Sequence, residues 1–113
     1  MSEADTFDPG AHLPLRPVEF QVLVLLGERE RHGWAVLQDM EAGGQAVPGI
    51  ATLYRTLRRL EDEGFIERQA GLKSEEDHRR VYALTASGRE VASAEARRLG
   101  TLLGIARAAD LIV

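Results

Sequence analysis

Apolar residues recur at helical spacing in four stretches of the chain and alternate in two others. The first stretch, "RPVEFQVLVLLGE" (16–28), is apolar on nearly all sides, which predicts a buried helix. Pro17 suits its first turn, and Gly27 suits its end. "GWAVLQDMEA" (33–42) predicts a shorter helix with Val36, Leu37 and Met40 facing inward, broken by "GGQAVPG". In "ATLYRTLRRLEDEGFI", Leu53, Leu57 and Leu60 fall on one stripe, predicting a third helix over 49–63 that Gly64 ends. "FIERQA" and "RRVYALT" alternate as short strands, joined by "GLKSEEDH". Thr85 then caps a last helix of about 25 residues, some 37 Å long at 1.5 Å per residue.

The element order is three helices, two strands and one long helix. It predicts a mainly α fold with a small β-hairpin: a winged helix-turn-helix over 16–85, a loose N-terminal arm over 1–15, and a C-terminal dimerisation helix over 86–113. The arm holds Pro9, Gly10 and Pro14 without periodicity.

The third helix changes charge sign along its length. Arg55, Arg58 and Arg59 precede Glu61, Asp62 and Glu63. With the leucine stripe inward, Arg55, Arg59 and Asp62 point outward, and Ala51, Thr52 and Arg58 flank them. A helix whose front end enters a DNA major groove needs such a face, with short or basic residues first and acids only where it leaves the groove. The same charges also suit i,i+4 pairs on a solvated face, Arg58 with Asp62 and Arg59 with Glu63. The surroundings favour DNA. A helix pair precedes this helix, and a basic hairpin with Lys73, His78, Arg79 and Arg80 follows it.

The segments "HGWAVLQDME", "TLYRTLRRLEDEGFI" and "RRVYALTASGRE" together resemble the PadR-type winged-helix transcriptional regulators. The matching positions are His32, Gly33, Thr52, Leu53, Tyr54, Leu60, Glu61, Gly64, Arg80, Tyr82, Leu84, Thr85 and Gly88. The resemblance implies a homodimeric DNA-binding repressor or regulator of the small subfamily, and a palindromic operator in double-stranded DNA is expected for it. It implies DNA contacts from Thr52, Tyr54, Arg55, Arg58, Arg59, Lys73, Arg79 and Arg80. Two departures stand out. Trp34 replaces the usual Tyr, and Glu75, Glu76 and Asp77 in the wing loop would repel phosphate, so Arg79 and Arg80 are stronger contacts than Lys73. In related small regulators a pore near the dimer interface holds flat apolar ligands. That makes Trp34 a candidate contact for a small apolar effector, set against the plainer reading that it belongs to the core.

Charge and composition narrow the alternatives. The net charge is −4 over 113 residues, yet residues 48–84 carry seven basic and seven acidic side chains, against three and eight in residues 1–47. DNA binding here therefore needs a local basic patch rather than a basic domain. With no cysteine and three scattered histidines, no metal or cofactor site is expected. No nucleophile–base pairing or phosphate loop points to an enzyme. The third helix also resembles that of ferric-uptake-type regulators, whose His- and Cys-rich second domain has no counterpart here. A winged helix serving only protein interaction remains the alternative. "MSEADTFDPG" has no apolar core and no stretch reaches a membrane span of roughly 18 residues, so a cytoplasmic protein is expected. The apolar residues Leu99, Leu102, Leu103, Ile105, Ala106 and Leu111 exceed what a three-helix core can bury, which predicts pairing through the last helix.

Overall fold

The computed structural model describes residues 6–44, 47–69 and 80–112. Its elements in order are a short 3-10 helix (Pro9–His12), α1 (Pro17–Glu28), β1 (Arg31–His32), α2 (Gly33–Ala42), α3 (Ile50–Asp62), β2 (Ile66–Arg68), β3 (Val81–Leu84) and α4 (Ala86–Ala108). The winged helix-turn-helix and the long last helix are as the sequence predicts. The wing loop, with Lys73, the three acids, His78 and Arg79, lies outside the described residues.

Local chemistry fixes the ends of these elements. Pro17 opens α1, and Glu19 Oε1 accepts from the Arg16 N–H at 2.8 Å, satisfying a donor at the helix start. The helix runs one residue past Gly27, to Glu28. Gly64, at φ 82°, turns the chain out of α3: its N–H donates to Glu61 O at 3.0 Å and Phe65 N–H to Leu60 O at 2.9 Å. This pair of bonds uses two carbonyls that the helix end would strand, and it launches β2 at once. Thr85 Oγ1 accepts from Gly88 N–H at 3.1 Å, capping α4.

The core gathers one stripe from each element. Val22, Leu23 and Leu26 of α1 meet Val36 and Met40 of α2, Leu53, Leu57 and Leu60 of α3, Phe65 and Ile66, Tyr82 of β3, and Val91 of α4. Each large apolar side chain buried there contributes about 1.5–3 kcal/mol.

Four sequence expectations change. The hairpin gains a third strand: β1 pairs with β3, Arg31 opposite Tyr82 and His32 opposite Val81, so the antiparallel order is β1-β3-β2. Two residues are too few to show alternation, so this strand left no pattern in the sequence. The arm is docked along its described part, because Phe7, Leu13 and Leu15 pack on the core and the His12 ring meets Phe65 edge-on at 5.1 Å. α1 is not covered all round, since Val24 is 44% exposed. Trp34, read as core, is also 44% exposed.

α4 outruns the globule. Gly88, Val91 and Glu95 are buried, but from Leu99 onward every described apolar residue except half-buried Ala106 is exposed. The radius of gyration is 15.5 Å, above the roughly 13 Å of a compact domain this size.

Candidate nucleic-acid interface

The outward face of α3 is set by which residues the stripe buries. Thr56 joins Leu53, Leu57 and Leu60 inside, its hydroxyl donating to Thr52 O at 2.8 Å. Such a bond satisfies a buried hydroxyl within its own helix. Thr56 widens the buried stripe toward the Arg59 side and leaves Ala51, Thr52, Arg55 and Arg58 exposed at the front of the helix. Arg55 Nη2 donates to Thr52 Oγ1 at 3.3 Å. Tyr54 is half-buried against the core.

Arg59 is exposed as the sequence reading has it, but it also has partners within the protomer. Its Nε lies 3.3 Å from Glu63 Oε1 and 3.6 Å from Glu19 Oε2, so it ties α3 to buried Glu19 on α1. The i,i+4 pair with Glu63 is the plainer alternative realised. Arg59, half exposed, thus spends its charge within the protomer.

A buried arginine that sequence reasoning missed holds the wing to the helices. Arg31 is 6% exposed, although "ERERHG" reads as a charged surface turn. Its Nη1 donates to Leu25 O, its Nε lies 2.7 Å from Asp39 Oδ2 and its Nη2 3.4 Å from Glu28 Oε2. One guanidinium thus joins the end of α1, β1 and α2, which a planar five-donor group can do and a lysine cannot. On the other side, Arg68 Nε of β2 reaches Glu61 Oε2 of α3 at 2.5 Å. Both outer strands of the sheet, β1 and β2, are therefore pinned to the helices. β3, between them, follows directly on Arg80, which is partly buried at the wing root.

A second buried charge braces α4 against the arm. Glu95 is 1% exposed. Its carboxylate accepts from the Arg98 guanidinium and, through Oε2, from Leu15 N–H at 2.8 Å. The Arg98 hydrogen bond holds its pKa below the usual carboxylate range, against the opposing effect of burial. Glu95 and Arg98 also border a groove of about 520 Å³ whose apolar walls include Leu15, Phe20, Val24, Leu25, Met40 and Leu99. A smaller hollow of about 230 Å³ flanks the other side of Val24. Trp34 lines neither. Its ring instead stacks on His32 at the start of α2, with centroids 5.9 Å apart. Among the described residues no cluster of His, Asp and Glu could hold a metal.

The sequence profile of the PadR-like family of transcriptional regulators matches residues 22–94. The chain belongs to this family. It is a regulator by family, not an enzyme. No curated protein sequence matches it. The PadR-like fold is evident in solved structures. Bacillus subtilis PadR in complex with operator DNA superposes with a TM-score of 0.59 at 26% identity, covering 71% of this chain and 46% of that one. The chain thus spans under half the length of that PadR. A transcriptional regulator from Clostridium thermocellum gives 0.66 at 19% identity, covering 95% of each chain. A PadR family regulator from Clostridium difficile gives 0.68 at 15% identity, covering 80% of this chain and 94% of that one.

Proposed function

We propose that this PadR-like protein is a sequence-specific DNA-binding repressor, acting in the cytoplasm as a homodimer on a palindromic operator. The observation that carries the reading is the front of α3: Thr52, Arg55 and Arg58 exposed together on a helix whose opposite side is locked into the core. Arg55 addresses a base edge, Thr52 and Arg58 sit beside it, and Tyr54 lies at the margin. Arg80, with Lys73 and Arg79 of the wing, meets phosphate. That Bacillus subtilis PadR was solved in complex with operator DNA supports the DNA-binding part of this reading.

The dimer reading rests on the exposed end of α4. Leu99, Leu102, Leu103, Ile105 and Leu111 are 38–77% exposed and continue from Val24 on α1. A patch of this kind on a lone protomer marks an interaction surface. A two-fold pair of such protomers presents two copies of α3 to successive major grooves, about 34–36 Å apart. The groove beside Val24 has room for a small apolar effector next to that interface. No helix is long and apolar enough to cross a membrane among the described residues.

Selection of bound duplexes from a random pool tests the reading. A palindromic consensus is expected, with an affinity that falls with salt by a slope of about −0.9 per neutralised phosphate. Failure to retain any duplex would leave the winged helix as a protein-interaction module.

A further inference from the structure

We propose that Ile50, at the leading tip of α3, reads the C5-methyl group of a thymine in each half-site. The proposal rests on the DNA-binding reading above and adds an apolar contact to the polar and basic ones drawn there.

Ile50 is the first residue of α3 and lies one turn before Leu53. The leucine stripe, continued backward, runs into it. Yet Ile50 is 62% exposed, whereas Leu53 is fully buried. The apolar stripe thus outlasts the core that it serves, and its leading member stands in solvent. Val47, just ahead of the helix, is 39% exposed as well. Neither side chain is part of the core.

The surroundings select the partner. Ala51, Thr52 and Arg55 are exposed at the same end of the helix, so Ile50 stands beside the residue assigned to a base edge. The first turn holds no acid, and the N-cap, Gly49, has no side chain. A Cβ built at Gly49 meets nothing within 4 Å, so the protomer leaves the tip clear. The N-terminal residues of a recognition helix are the ones that reach base edges. Among the groups displayed in the major groove, the thymine methyl is the one that an apolar side chain distinguishes. Isoleucine suits the task, because in a helix one χ1 rotamer dominates and little freedom is lost on contact. A protein surface would need a wider apolar patch than Ile50 and Val47 provide, and the neighbouring arginines favour a polyanion.

Uracil differs from thymine by that methyl alone, so the duplex itself supplies the test. In a duplex recovered by selection, each thymine is replaced in turn by uracil, symmetrically in both half-sites, and the anisotropy of the labelled DNA gives Kd. At one position the native protein should bind about fourfold more weakly per half-site, the loss of one buried methyl, and so about fifteenfold more weakly for the pair. Ile50→Ala should melt as the native protein does, because the side chain is exposed. It should bind the thymine duplex more weakly and treat thymine and uracil alike at that position. A selected half-site without thymine, a native protein indifferent to uracil at every position, or a thymine preference that survives in Ile50→Ala overturns the proposal and leaves the DNA-binding reading intact. Anisotropy that never rises with the native protein overturns both.

Discussion

Replacing Gly88 by alanine tests how α4 is seated on the wing. Gly88 is in the first turn of α4, just after the capping Thr85. A Cβ built there would lie 2.0 Å from the Phe65 carbonyl oxygen, 2.8 Å from its carbon and 2.9 Å from Leu84 Cδ1. The nearest atoms are main chain, so no side chain can swing away. The backbones at Gly88 and Phe65 must part by roughly 1–1.5 Å to restore ordinary contact. The bonds around this crossing would stretch with them: Thr85 N–H to Phe65 O at 3.1 Å and Thr85 Oγ1 to Gly64 O at 2.6 Å.

Overpacking of this kind costs about 1–3 kcal/mol, and a weakened cap about 1 more. Alanine's better helix propensity returns up to about 1 kcal/mol. Gly88→Ala should therefore lose about 1–4 kcal/mol net. With unfolding entropy near 2.1 cal/mol/K per residue, that lowers Tm by about 4–17 °C. Thermal denaturation followed by circular dichroism, at one fixed protomer concentration, measures it. Gly104→Ala is the contrast, because nothing lies within 4 Å of its Cβ position in the protomer. It should be neutral or stabilising by up to about 1 kcal/mol, and a loss there instead would mean that a second copy packs on α4. If Gly88→Ala melts within about 2 °C of the native protein, the close approach of α4 to Phe65 is refuted.

The remaining predictions concern charge and the exposed apolar face. Arg55→Ala should cost about 1–3 kcal/mol of binding and relax preference at one base pair per half-site, whereas Arg59→Ala, already paired within the protomer, should leave the cognate-to-scrambled ratio unchanged in the same binding isotherms. Glu95 has a folded pKa below its unfolded value, so its stabilisation is intact at neutral pH and fades as pH falls from the ordinary carboxylate value, about 4.3, through the lowered one. Glu95→Gln should accordingly be less stable than the native protein at pH 7 and show a flatter acid limb in denaturant titrations below about pH 5. Leu103→Glu puts charge on a side chain 44% exposed in the protomer. It should leave the fold intact and give a monomer by light scattering; a persisting dimer would place the interface elsewhere.

Periodicity made the helices legible. The Leu53, Leu57 and Leu60 stripe is buried to within 1%, and the Thr85 cap forms as its position implies. What escaped was long-range. Arg31 and Glu95 are buried because their partners, Asp39 on α2 and Leu15 in the arm, are brought to them by the fold, and a charged letter does not announce that. The docked arm escaped for the same reason, since Phe7, Leu13 and Leu15 fit no helix or strand period yet meet an apolar surface. Gly88 fell in a matched motif, but only the Phe65 carbonyl explains why a side chain has no room there.

The charge reversal along α3 now has a physical division. Two of its three acids serve the fold: Glu61 binds Arg68 of β2, and Glu63 shares Arg59 with Glu19 of α1. Those contacts hold the back of the helix against the wing and the first helix. They also engage half-exposed Arg59 within the protomer. A protein of net charge −4 gains little general attraction for a polyanion, so its affinity must come from few contacts in fixed positions. Rigid seating of α3 is then a condition of binding. Loosening its back end through Glu61→Ala should weaken operator binding, although Glu61 itself would repel phosphate. Gel retardation on the selected duplex measures this. Binding that strengthens, as loss of a repelling charge alone would produce, would show that charge rather than seating governs the interface.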